Sequence, residues 1–364
     1  MSLKYEGANG LRLRLIMATL MGRPVKISNI REDDQSPGLR DWEASFLRML
    51  DKITNGSHIQ INETGTVLRY KPGQLVGGSG LAHKCPNTRS VVYYLEALAI
   101  LGLFCKDPLD ITLTGVTNDN NDAAIDSFRT ATMPLLAHAG IKEHLSVEVI
   151  KRGLAASGGG QVRFRCPVVK SISPFDVIKC GKVKRIRGVA YTAQVSPQFA
   201  ARMVDAVRGV FNDLLPDVWV YTDHAKGDKV AADRGYGLSL VAESITDTVM
   251  ATDFAADIES AGPNALNEPE RVGVAAAARL LQEIECGGVC DSTNQWLLII
   301  LAAAAEEHKP CTLRLGRLTP HTVQTLRHVR DFLGVSFNMS QNDDGTVMLN
   351  TVGAGLMNMA RRTF

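Results

Sequence analysis

The chain of 364 residues is 45% hydrophobic and 21% charged, apolar enough to bury a large core across two or three structural units. Its 40 basic and 38 acidic residues leave a net charge of +2, which excludes recruitment of nucleic acid by bulk charge; local patches must supply any attraction. No run reaches the roughly 20 apolar residues of a spanning helix, and "MSLKYEGANGLRLRL" carries no secretory pattern, so a soluble intracellular protein without membrane contact is expected.

Apolar patterns of period 3.6 and period 2 then alternate along the chain in a fixed order. The helix pattern "LRLRLIMATLMG" is followed by the strand "PVKISNIR", the amphipathic helix "LRDWEASFLRMLDKI" and the strand-turn-strand stretch "QINETGTVLRYKPG". The order returns with "TRSVVYYLEALAILG", "LDITLTGVT", "AAIDSFRTATMPLLAHA", "LSVEVI" and "QVRFRC". It returns again with "STNQWLLIILAAAAEE", "CTLRLGRLT", "PHTVQTLRHVRDFL" and "QNDDGTVMLNTVG". Each unit reads helix–strand–helix–strand–strand, an α/β layer in which two helices cover one sheet face.

Between the second and third copies lies extra chain: the strand "GKVKRIRGVAYT", a helix starting at "VSPQFAARM" and the strands "DVWVYTDH" and "GYGLSLVAES". The expected division is therefore unit one at 1–80, unit two at 81–180, an inserted smaller α/β domain at 181–280 and unit three at 281–364. Within unit two, "SGGG" (157–160) falls between two strands and reads as a hairpin turn, where glycine tolerates positive φ; a phosphate nest is the alternative. Seven scattered cysteines, of which only Cys286 and Cys290 lie close together, read as reduced structural thiols, and no histidine cluster has metal spacing.

Several of these stretches resemble the RNA 3′-terminal phosphate cyclase family. "RGLAASGGGQV" (152–162) is similar to its glycine-rich signature with Ala156 in place of proline, "IREDDQSPGL" to its Ile-Arg…Pro-Gly-Leu segment and "RYKPGQLVGG" to its Pro-Gly…Gly-Gly segment. The resemblance covers nearly the whole chain and implies the family's three repeats plus inserted domain. It departs from the cyclases at the nucleotide site. "YEGANGLRLR" replaces the Glu-Gly-Gly-Gly-Gln run, "DSTNQW" replaces the His-x-x-Asp-Gln motif with Asp291, Asn294 and Gln295, and "GVTND" replaces Gly-Gly-Thr-Asp. These departures, with "KVKRIRGVAY", "VSPQFAARMVD" and "LPDVWVYTDH", resemble the family's second branch, the cyclase-like proteins of eukaryotic ribosome assembly.

That resemblance implies a non-enzymatic role in early pre-rRNA processing within the small-subunit processome of the nucleolus, alongside a ribosome-assembly GTPase, with no cofactor and no metal. An active ATP-dependent cyclase and a pre-rRNA endonuclease are the enzymatic alternatives. The residual catalytic candidate is His321, placed by the resemblance near the histidine that takes AMP; a helix start with Thr319 as cap and Pro320 in the first position would keep its ring neutral. Anion or RNA candidates are Arg152, Arg163 and Arg165 around the glycines, and Lys182, Lys184, Arg185 and Arg187 in the basic segment, which reads otherwise as a solvated edge strand. Arg327, on the outward side of its helix with a possible i,i+4 partner in Asp331, is the partner-interface candidate.

Overall fold

A computed structural model describes residues 2–155, 157–231, 233–256 and 267–358. Each of the three units carries a strand that the sequence pattern does not predict ahead of its first helix: Leu3–Glu6, Gly77–Lys84 and Asp176–Val177. Each added strand pairs parallel with the next strand of its unit, at Val25–Ser28, Asp107–Gly115 and Pro310–Leu315. The closing hairpin then adds its two strands antiparallel, so the four-stranded sheet of each unit has the order first, second, fourth, third.

One helix from each of units two and three, Val92–Leu101 and Gln295–Ala304, is buried on nearly every side. Such all-round apolarity suits a helix enclosed by other layers rather than one lying on a surface. Helix Leu11–Met21 of unit one is also largely buried, and residues from all three units form one continuous core.

The inserted chain forms a separate sheet in the order Val218–Ala225, Val183–Ala193, Gly235–Ser244, Val249–Ala255. Helices Gln198–Phe211 and Pro269–Cys286 cover one of its faces and share a second core with Ile186, Val220, Leu238 and Leu240. On the other face Val241, Val249 and Ala251 are buried with Ala131 of unit two. The basic strand Val183–Ala193 is interior to this sheet, with a neighbour on each side, so the edge-strand reading of that segment is corrected. Its charges sit at the surface because the strand's outer face is partly open, not because its backbone is unpaired.

Candidate functional site

The strand Leu3–Glu6 leads into a tight turn in which Gly7 and Gly10 take φ of 70° and 67°. A β-carbon at Gly10 would come within 2.9 Å of His328 Nε2, so glycine lets helix Leu11–Met21 begin against helix Pro320–Leu333. That start brings Arg12 to a cleft of about 590 Å³ where all three units meet the insert. Glu96 comes from unit two, Trp296 and His321 from unit three, and Asp253, Arg279 and Glu283 from the insert.

Arg12 connects the walls. It pairs with Glu96 at 2.6 Å, donates to the Tyr93 carbonyl at 2.8 Å and lies over the Tyr93 and Trp296 rings. His321 follows Pro320 at the start of its helix, and the Thr319 hydroxyl accepts from the Thr322 N–H at 3.1 Å, the cap the sequence predicts. The imidazole meets Trp296 edge-on at 6.1 Å. Desolvation by the cleft walls, then the charge of Arg12, holds its pKa at about 4, so the ring is neutral at physiological pH.

Asp291, Asn294 and Gln295, at the positions that the resemblance assigns to a nucleotide site, are bonded into the scaffold. Asp291 is fully buried; it accepts from the Ala251 N–H at 3.1 Å, the Thr293 hydroxyl at 2.8 Å and the Asn294 N–H at 3.0 Å. Asn294 accepts from Thr132 at 2.8 Å, while Gln295 accepts from Thr322 at 2.6 Å and donates to the Arg317 carbonyl at 3.1 Å. The other cleft carboxylates are also engaged. Asp122 takes a two-pronged pair from Arg89, Glu283 accepts from both the N–H and the hydroxyl of Ser292, and Asp253 accepts from the Ala124 N–H at 2.9 Å. Burial lifts Asp253 to about 6. A nucleoside triphosphate with its divalent cation needs free, converging oxygen ligands and cations for its phosphates. Among the described residues each carboxylate lining the cleft already has a protein partner, so an ATP–metal ligand would have to share or displace those bonds.

The glycine turn is a hairpin turn: Ser146–Lys151 and Gly160–Cys166 pair antiparallel, and Gly158 and Gly159 take φ of 63° and 71°. Ala156 lies outside the described residues. The Ser157 N–H, which an anion nest would offer to phosphate, instead donates to Asp233 at 2.6 Å. Nor do the three nearby arginines converge. Arg152 is 5% exposed and held by Asp126 and Asp223, whereas Arg163 and Arg165 both turn to Asp110.

In the basic segment Lys184 faces Asp247 at 3.3 Å, Arg185 bonds Glu243 at 2.7 Å and Arg187 grips Asp217 through two bonds of 2.8 Å. Lys182 is exposed and has no ion pair among the described residues. On the last long helix the helical period sets Val323 inward and His328 outward, and the structure reverses both. His328 is 2% exposed, packed against Tyr5, and Val323 is exposed. Asp331 accepts from the Tyr5 hydroxyl at 3.2 Å rather than pairing with Arg327. Arg327 instead borders an apolar groove of about 270 Å³ walled by Leu326, Phe337 and Met339.

Sequence reasoning missed Arg12, Glu96, Asp126 and Asp253. The signal for the first two was present: an arginine interrupting an apolar helix pattern and a single carboxylate inside "VYYLEALAIL".

The RNA 3′-terminal phosphate cyclase family profile matches residues 3–339. The chain is 43% identical over 371 residues to a probable RNA 3′-terminal phosphate cyclase-like protein of Dictyostelium discoideum, covering 100% of both. It is 45% identical over 368 residues to the RNA 3′-terminal phosphate cyclase-like protein of Homo sapiens, covering 99% of this chain and 98% of the relative. A relative from Schizosaccharomyces pombe, named rRNA processing protein rcl1, is 38% identical over 363 residues, with 99% and 98% covered. The chain, with its three repeated units and insert, belongs to the RNA 3′-terminal phosphate cyclase family.

Proposed function

We propose that this chain is a non-enzymatic factor of pre-rRNA processing, needed for the early cleavages that lead to small-subunit rRNA and acting in the small-subunit processome of the nucleolus. The observation that carries the reading is the commitment of Asp291, Asn294 and Gln295 to hydrogen bonds between elements. Asp291 ties unit three to the insert, Asn294 ties it to unit two and Gln295 ties the first helix of unit three to its second, so seating ATP and a metal there would break bonds that hold these elements together. The printed name of the Schizosaccharomyces pombe relative supports the direction toward rRNA processing.

The partner in this reading is a ribosome-assembly GTPase, docked at the groove beside Arg327, where apolar walls and an outward guanidinium make a fitting anchor. In this reading Arg163, Arg165, Lys182, Lys184, Arg185 and Arg187 face RNA phosphates; all but Lys182 would share their charge with a carboxylate partner. Arg152 belongs to the scaffold.

Depletion of the protein from its own cells tests the reading. Precursors of small-subunit rRNA should accumulate while large-subunit precursors mature normally. Unchanged small-subunit processing after depletion would reject it. Arg327→Ala should reduce the GTPase recovered with the purified protein while leaving its fold intact.

A further inference from the structure

The stretch "DVWVYTDH" becomes the edge strand Val218–Ala225 of the inserted sheet, and its two aromatic rings have no part in the cores. Trp219 is 51% exposed and Tyr221 59%, while Val220 between them is buried in the second core. Alternation therefore sends both rings out of the face opposite the insert's helices. They meet edge-on, 6.1 Å between centroids. A lone exposed ring is ordinary; two adjacent rings on an open sheet face mark an interaction surface.

The register sets Arg187 beside Trp219 and Val189 beside Tyr221. Unit two covers the same face at Val241, Val249 and Ala251 and, on the edge strand itself, at Asp223 and Ala225 through Arg152 and Leu154, which leaves Trp219 and Tyr221 exposed. Tyr221 and Val189 continue into a second cleft, of about 520 Å³, that also presents Arg129 and Lys229. Its two carboxylates, Asp126 and Asp223, are both taken by Arg152. Arg129 reaches Asp126 only at 3.6 Å, and Lys229 has no ion pair among the described residues.

We infer that this strip binds single-stranded RNA, with bases stacked on Trp219 and Tyr221 and backbone phosphates facing Arg129 and Lys229. Flat rings standing clear of a sheet accept any unpaired base, and cations at the strip's end complement the phosphate chain. A protein partner would fit less well, because hot-spot anchors favour desolvated pockets over an open strip. The inference rests on the pre-rRNA reading for which RNA is bound, but the binding itself is tested separately.

The probe is a short fluorescein-labelled oligouridine, titrated with the full chain at low salt and followed by anisotropy, with tryptophan quenching of an unlabelled strand as a second signal. Trp219→Ala and Tyr221→Ala should each weaken binding by about tenfold, a usual effect for one stacking ring, without changing the salt dependence. Trp219→Phe should restore most of the affinity. Lys229→Ala should weaken binding mildly and lower the salt slope by about one. Both rings are exposed, so melting temperatures should match wild type. Failure of the wild type to bind, or unchanged affinity in the double variant W219A/Y221A, overturns the inference, as does loss of a co-purifying protein with RNA affinity intact. None of these results touches the processing role, which the depletion experiment judges independently.

Discussion

Arg152 donates two hydrogen bonds to Asp126, at 2.7 and 3.1 Å, and Asp126 has no exposed surface. Burial opposes both charges, yet their partners together outweigh it: Asp126 with Asp223 raises Arg152 above its ordinary pKa, and Arg152 with Arg129 and Asn118 lowers Asp126 below its own. A third bond, Arg152 Nε to Asp223 at 2.8 Å, carries the link from unit two to the insert.

Removing one member of that pair strands the other. Arg152→Ala should cost about 3–5 kcal/mol in chemical denaturation, because Asp126 would remain charged and buried. In an Asp126→Asn background the same change should cost markedly less. A loss below about 1 kcal/mol for the single variant would show that the pair does not hold the two parts together.

At the glycine turn the two left-handed positions differ in surroundings. A β-carbon at Gly159 meets only Ala231 at 3.4 Å, whereas one at Gly158 falls 2.4 Å from Asn87 Oδ1. Gly159→Ala should therefore lose about 1 kcal/mol, the backbone term alone, and Gly158→Ala more. Thermal denaturation orders the two; an equal or reversed ranking contradicts the packing argument.

Asp291 offers a sharper contrast. If its carboxylate joins the insert to unit three, Asp291→Ala should lower stability by roughly 2–4 kcal/mol through unsatisfied N–H groups at Ala251 and Asn294. A ligand-binding carboxylate placed for catalysis would give the opposite result, an unchanged or raised melting temperature.

The repeats were legible because each helix and most strands carry their own period. The leading strands were not. "GGSGLAHK" has no apolar alternation and few β-formers, and Asp176–Val177 is two residues long; both are strands only because a parallel neighbour fixes them. His328 read as outward because its covering, Tyr5, lies more than 300 positions earlier in the chain. The same distance hid the cleft: Arg12, Glu96, Asp253 and His321 come from four separate regions, and no local spacing announces their meeting. Arg152 read as a phosphate ligand because its carboxylates at 126 and 223 could not be placed beside it from the sequence.

Acid should weaken the fold in a defined window. Burial, with nearby Lys52 and Arg48 for His83 and Arg14 for His328, lowers both imidazoles from 6.5 to about 4. The unfolded chain then binds more protons between those values, so stability falls as pH drops from 6.5 to 4, on the order of 3 kcal/mol per histidine. Asp253, raised by burial to about 6, acts in the other direction and gains as pH falls through that value. Denaturation midpoints measured across this range should decline, and His83→Gln should flatten the decline. A curve level from pH 6.5 to 4 would contradict the buried neutral state of both rings.

The central claim is that the protein serves pre-rRNA processing without nucleotide chemistry at His321. The most direct measurement replaces the resident protein in its own cells with His321→Ala and quantifies the small-subunit rRNA precursors. Precursor levels matching those of wild-type replacement are expected, since among the described residues the ring makes no hydrogen bond and meets only the Trp296 ring and the charge of Arg12. Accumulated precursors from a normally folded, normally abundant His321→Ala protein would contradict the claim.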